Sequence, residues 1–214
     1  MTPSGEVTTF PLGTPIVRLG RLAVAPGDAV WFAEATGYSI TRLKNGEITR
    51  HVFESPRGEP YGMAIASDGS AWATLKSADQ LLHIGADDEM HVINVPRQAA
   101  VPTDIAVDGD GGIWFIESRD NRIARLKDGR FDEFDVAEES PVLTGLVVTQ
   151  DGAVWFGMLR SGSLGRLQDG RVETFKLPRA GARPTSLAVD RDGNVWYADI
   201  TGYVGMLEAR FARR

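Results

Sequence analysis

Tryptophan recurs at nearly equal intervals along this chain of 214 residues. The five copies are Trp31, Trp72, Trp114, Trp155 and Trp196, separated by 41, 42, 41 and 41 residues. Around each one the same phrase returns: an apolar run, a turn, then the Trp beside an apolar or small residue. Four copies carry Asp-Gly just ahead of it (Asp68-Gly69, Asp110-Gly111, Asp151-Gly152, Asp192-Gly193), and the first reads Pro26-Gly27-Asp28. A self-similar unit of about 40–45 residues with four short strands is the sequence pattern of a β-propeller blade. The spacing therefore predicts one all-β domain, a five-bladed β-propeller with four antiparallel strands per blade. Its blades would run over about 20–53, 61–95, 103–136, 144–177 and 185–208.

Within a unit, the second for example, Tyr61 to Ala66 reads as the innermost strand and Ser70 to Leu75 as the next. Gln80 to Ile84 and Glu89 to Val95 follow as the third and outer strands. Inner strands such as Ile105-Ala106-Val107 are almost wholly apolar, as strands covered on both faces should be. Outer ones such as Arg171 to Leu177 alternate, as half-exposed strands do. No segment shows a sustained helical period. The fifth unit stops without an outer strand, whereas Gly5-Glu6-Val7-Thr8-Thr9-Phe10 matches Gly170-Arg171-Val172-Glu173-Thr174-Phe175 almost residue for residue. This match predicts that residues 5–11 complete the last blade and close the ring, leaving no free sheet edge.

Each Trp falls on a second strand, where a large flat side chain can fill the wedge between neighbouring blades. Aromatic surface of roughly 150–250 Å² buried per site would make it a main inter-blade contact.

The net charge of −6 argues against a nucleic-acid or anionic-membrane partner, either of which would need a basic field. Arg210, Arg213 and Arg214 are a local exception and read as a frayed tail. With no cysteine, disulfides and thiolate–metal sites are excluded. The opening Met1 to Glu6 lacks the basic and apolar regions of a signal peptide, and no apolar run approaches a membrane span. A soluble, cytoplasmic monomer is expected.

The full phrase is legible from Pro102 to Val136: proline, inner strand, Asp-Gly, Trp-Phe-x-Glu, Asn-x-Ile-x-Arg-Leu, Asp-Gly, outer strand. It resembles the repeat of the streptogramin B lyases (the virginiamycin B lyase family), and the resemblance spans all five units. It implies a propeller fold and lyase chemistry on a small molecule. Two departures accompany it. Those lyases have seven blades. Their site also carries a catalytic His after the proline that opens an inner strand, with a Glu, a second His and Mg²⁺ nearby. Here the corresponding positions, eleven residues before each Trp, are Gly20, Tyr61, Thr103, Thr144 and Thr185, none of them His. A Tyr at such a position occurs in those lyases, and Tyr61 matches it. His51, His83 and His91 lie on other strands and read as structural or surface residues.

Propellers gather function at one mouth of the central channel, so repeat positions can be read as rings. One ring is the set just named with its neighbours Arg21, Gly62, Asp104, Gly145 and Ser186. A second, three residues after each Trp, is Glu34, Leu75, Glu117, Met158 and Asp199; loops beyond it add Tyr38, Arg119, Arg160 and Tyr203. Both rings are expected at the same mouth. Clustered carboxylates raise one another's pKa, which suits acid–base work, and their oxygens suit a hard cation. The candidate catalytic residues are therefore Glu117, Asp104, Tyr61 and Arg21, with Glu34, Asp199, Arg119, Tyr38, Met158 and Arg160 as candidate ligand contacts. Glu34 and Glu117 are the candidate ligands for Mg²⁺. The competing reading is that the Glu after Trp-Phe-x caps its strand or pairs with Arg21 or Arg119. Asp108-Gly109-Asp110-Gly111-Gly112 resembles part of a calcium loop, but it sits where every repeat has a hairpin turn.

Three functions follow: a small-molecule lyase, isomerase or cyclase using these carboxylates; a propeller binding a ligand or protein across its mouth without chemistry; or a reduced or engineered scaffold. Fold analogy alone does not choose among them.

Overall fold

The computed structural model describes residues 5–13, 18–54 and 58–209. It contains nineteen strands and five antiparallel sheets arranged as propeller blades. Blade 1 comprises β1 (Leu19–Ala25), β2 (Ala29–Glu34), β3 (Ser39–Lys44) and β4 (Glu47–Val52). Blade 2 comprises β5 (Pro60–Ile65), β6 (Ala71–Leu75), β7 (Gln80–Ile84) and β8 (Met90–Asn94). Blade 3 comprises β9 (Pro102–Val107), β10 (Ile113–Glu117), β11 (Arg122–Lys127) and β12 (Arg130–Asp135). Blade 4 comprises β13 (Leu143–Val148), β14 (Val154–Met158), β15 (Ser163–Gln168) and β16 (Arg171–Lys176). Blade 5 has three strands, β17 (Pro184–Val189), β18 (Val195–Asp199) and β19 (Tyr203–Leu207).

Local chemistry sets the hairpins. At Asn45-Gly46, Asp128-Gly129 and Asp169-Gly170 both residues take positive φ, and the flanking residues pair directly (Lys44 with Glu47, Lys127 with Arg130, Gln168 with Arg171). These are two-residue turns whose twist matches that of the strands. The Asp108 loop is a turn as well. Asp108 accepts from the backbone N–H of Asp110 and Gly112 and from Trp114 Nε1 (2.8 Å), which uses its carboxylate inside the hairpin.

The inner strands crowd the channel, and two glycines permit it. A Cβ on Gly62 would lie 2.3 Å from the Thr103 carbonyl oxygen, and one on Gly20 would lie 2.6 Å from that of Tyr61. Thr74 Oγ1 fixes the same junction by accepting from Gly62 N (2.8 Å) and donating to Thr103 O (2.6 Å).

The core lies between blades. Four apolar clusters join blade 1 to 2, 2 to 3, 3 to 4 and 4 to 5, among the described residues. Trp31, Trp114 and Trp155 each sit in the cluster shared with the following blade, and Trp72 packs against the one joining blades 2 and 3. Two of the three histidines serve the same packing. His51 stacks on Trp31 (ring centroids 5.4 Å apart) and His83 on Trp72 (4.4 Å), where other blades use Phe134 and Phe175 from the outer strand or an Arg from the third.

The expected closure by the N-terminal strand is not formed. Residues 5–12 make no strand, residues 5–10 are exposed, and among the described residues β19 has no fourth strand beside it. β1 packs on β5, β5 on β9, β9 on β13 and β13 on β17, but no comparable packing joins β17 to β1. The described residues form a propeller of five blades whose ring is left open between blade 5 and blade 1. Arg50 of β4 donates to the Leu12 carbonyl, so the N-terminal segment is held at blade 1, across the opening from β19. Arg210, Arg213 and Arg214 lie outside the described residues, as do residues 1–4.

Candidate functional site at the channel mouth

Inner strands begin at the mouth, so the residues that open them converge there. Arg21 (β1), Tyr61 (β5), Thr103 and Asp104 (β9), Thr144 (β13) and Thr185 (β17) line one cavity of about 340 Å³ with Ser118 and Leu143. Arg21 is its centre. Its Nε lies 2.9 Å from Asp104 Oδ1, and its terminal nitrogens reach Ser186 Oγ (3.3 Å) and the Thr185 carbonyl (3.5 Å). Burial works against the guanidinium charge, but the Asp104 carboxylate more than offsets this and holds its pKa above the ordinary value. Asp104 also accepts from Gly145 N (3.1 Å), so blades 1, 3, 4 and 5 meet through one ion pair. The Tyr61 ring faces two cations, Arg21 and Lys76, each 5.7 Å from its centroid.

The second ring does not join this cavity. Glu34, Leu75, Glu117, Met158 and Asp199 are all buried inside their blades, and Leu75 and Met158 are core residues. Successive side chains of a strand point to opposite faces. In blades 2 and 3 it is the next residue that reaches the mouth, Lys76 towards Tyr61 and Ser118 onto the cavity wall. Both were missed in the sequence, and the alternation was the signal that could have found them.

Two of the three buried acids are held by local hydrogen bonds. Glu34 accepts from Thr41 Oγ1 and from Arg50 Nε (3.0 Å). Asp199 accepts from Thr201 (N at 2.9 Å, Oγ1 at 2.7 Å), from Arg183 N (3.0 Å) and from Arg179 (2.5 Å). Burial pushes its pKa up, but these bonds outweigh it and leave the group well below the carboxylate range. Glu117 differs. Neither of its oxygens has a hydrogen-bond partner, and Arg97 Nε is 3.6 Å away. Burial, reinforced by the charge of Glu133 and opposed by Arg97 and Arg122, pushes it up to about 7.

Arg119 and Arg160 are exposed on the loops after β10 and β14, Tyr38 is exposed after β2, and none of the three lines the cavity. Tyr203 lies at the open end, with Arg179 4.1 Å over its ring. The donors do not fit Mg²⁺: Glu34 and Glu117 stand in different blades, and no three acidic or histidine side chains among the described residues cluster closely enough to hold a metal.

Comparison with known proteins agrees with this architecture. A virginiamycin B lyase from Nocardia farcinica is 35% identical over 129 residues, which cover 57% of this chain and 41% of that protein. The match thus spans less than half of that relative. A catalytically inactive virginiamycin B lyase from Staphylococcus aureus, solved with quinupristin, superposes with a TM-score of 0.91 at 24% identity, covering 98% of this chain and 73% of that one. A streptogramin B lyase structure gives a TM-score of 0.87 at 23% identity, over 96% and 74% of the two chains. No helix among the described residues is long and apolar enough to cross a membrane. The profile of the Virginiamycin B lyase family matches residues 1–210, and the chain belongs to that family.

Proposed function

We propose that the chain acts on a small molecule at the channel mouth in a lyase-like reaction, with Asp104 taking a proton and Arg21 and Tyr61 stabilising the negative charge that develops. One observation carries this reading: a carboxylate, a guanidinium and a phenol from three different blades meet in a single cavity of about 340 Å³. Membership of a lyase family supports it. Charge that grows during a reaction is best stabilised by donors already fixed in place, and Arg21 is held by Asp104 and Ser186 before any ligand arrives. Glu117, Glu34 and Asp199 are buried away from the cavity and serve the blades in this reading. No step is assigned to a metal ion.

A second reading, binding without chemistry, is favoured by one feature: none of the five positions that open the inner strands is His. A thermal-shift screen of small molecules separates both from a bare scaffold, because a true ligand stabilises the folded state by mass action. With a hit in hand, Asp104→Asn should abolish turnover while binding persists, and Glu117→Gln should leave turnover intact. Full turnover by Asp104→Asn would remove the lyase assignment. Binding with no product formed by the unaltered chain would establish the second reading.

A further inference from the structure

The rim of the propeller is made of outer strands with no neighbour beyond them, β4, β8, β12 and β16 among the described residues. An open edge invites a further strand, and proteins discourage this by placing charges on it. Three of these edges do so, with Glu47 and Arg50 on β4, Asp132 and Glu133 on β12, and Arg171 and Lys176 on β16. β8 reads Met-His-Val-Ile-Asn and carries no Asp, Glu, Lys or Arg. Its Met90 and Val92 are 39% and 46% exposed.

The ladder inside blade 2 fixes which groups β8 offers. Gly85 N donates to the Glu89 carbonyl and Val95 N to the Asp79 carbonyl, and both pairs continue the register that sets Leu82 against Val92. Bonded and non-bonded pairs alternate along an antiparallel ladder. His91 and Ile93 therefore bond inward to β7, while Met90, Val92 and Asn94 turn their N–H and C=O groups outward. From this edge we infer that β8 is a docking strand for β8 of a second copy of the chain, antiparallel about a two-fold axis at Val92. Val92 then faces the partner's Val92, Met90 the partner's Asn94 and His91 the partner's Ile93, with outward groups meeting outward groups. The ends match as well, because the acidic hairpin Asp87 to Glu89 comes alongside the stretch that ends in the partner's Arg97. Centred on the middle outward residue, the same two-fold would set Arg50 on its own copy in β4 and Glu133 on its own copy in β12. Like charges directly opposite one another are destabilising. In β16 the centre would be the polar Thr174, with Lys176 at each end. Among the described edges β8 alone offers an uncharged, apolar centre to its own copy, and a two-fold contact of this kind closes at two subunits. One strand pair is smaller than the roughly 1,200–2,000 Å² of a standard stable interface, so the dimer dissociates on dilution.

Sedimentation velocity over a concentration series tests this. The unaltered chain should pass from monomer to dimer as concentration rises, and more readily at high salt, since each copy carries a net charge of −6. Hydrogen exchange identifies the strand. On association the amides of Met90, Val92 and Asn94 should slow several-fold, while those of His91 and Ile93, already bonded to β7, should not change. Val92→Lys should remove the dimer, and Val52→Lys, at an exposed position of β4, should leave it intact. The register has its own test. Met90→Lys combined with Asn94→Lys should remove the dimer, whereas Met90→Lys combined with Asn94→Glu should keep it, because opposite charges then face each other across the axis. These two double variants decide the matter if Val92→Lys does not fold. The inference fails if the chain stays monomeric throughout the series, if it dimerises with the three outward amides unprotected, or if the two double variants associate alike.

Discussion

Blades 4 and 5 carry the same phrase, yet the residues that hold blade 4 in place are left bare in blade 5. Trp155 and Trp196 occupy one repeat position, and their exposures are 1% and 41%. Both blades have a second strand paired along its length to a third, so the pairing of the Trp-bearing strand does not separate them. The difference is what lies alongside. A blade of this protein has little core of its own and becomes buried only against the next one, as in other repeat architectures where neighbours supply each other's core.

That contrast can be broken most forcefully at the tryptophans. Trp155→Ala should cost about 3–5 kcal/mol, the range for removing a large buried aromatic. Trp196→Ala should cost far less, its main loss being the hydrogen bond to Asp190 (2.8 Å). Urea denaturation of both variants checks this, and equal losses would contradict the open arc. The third strands sharpen it. Leu164→Ala should cost about 2–5 kcal/mol, whereas Val204→Ala should fall within about 0.5 kcal/mol of the unaltered chain.

A smaller effect concerns Glu117, buried where blades 2 and 4 have Leu75 and Met158. Its folded-state pKa of about 7 lies above the ordinary carboxylate value, so the folded state holds a proton that the unfolded state has lost. The stability this contributes is fully present below the unfolded pKa and is lost as pH rises through about 7. Glu117→Met should flatten that decline and stabilise the protein at pH 8 by on the order of 1 kcal/mol, because a buried carboxylate that accepts no hydrogen bond is costly. Stability measured across pH 4.5 to 8 reads it out, and an unchanged slope would contradict the assignment. Least of all, Asp132→Ala should change stability by no more than about 1 kcal/mol, since the Arg125–Asp132 pair (2.6 Å) is solvent-exposed.

The blades were legible in the sequence because their determinants are local. Asp-Gly and Asn-Gly turns set the hairpins, and one Trp per unit marks the second strand. Closure was not legible. The likeness of residues 5–10 to 170–175 identifies a kind of strand, but not which sheet receives it. The angle between blades is set by whole faces packing, and no single residue encodes it. At the site, Arg21, Tyr61, Thr103 and Asp104 were found because proline marks the start of most inner strands. Glu34, Glu117 and Asp199 are expected at the same mouth because their shared position, three residues after each Trp, reads as a ring at the ends of the second strands. Their position is a core position in every blade, as Leu75 and Met158 make plain, and strand alternation puts the mouth one residue further on.

Hydrogen exchange across the third strands tests the open arc most directly. In blade 4, β15 lies between β14 and β16, while in blade 5 β19 has only β18 beside it. The amides of residues 203–207 should exchange much faster than those of residues 163–168. Equal protection of the two strands, with residues 5–10 protected alongside, would show a ring closed by its own N-terminal strand and contradict the account.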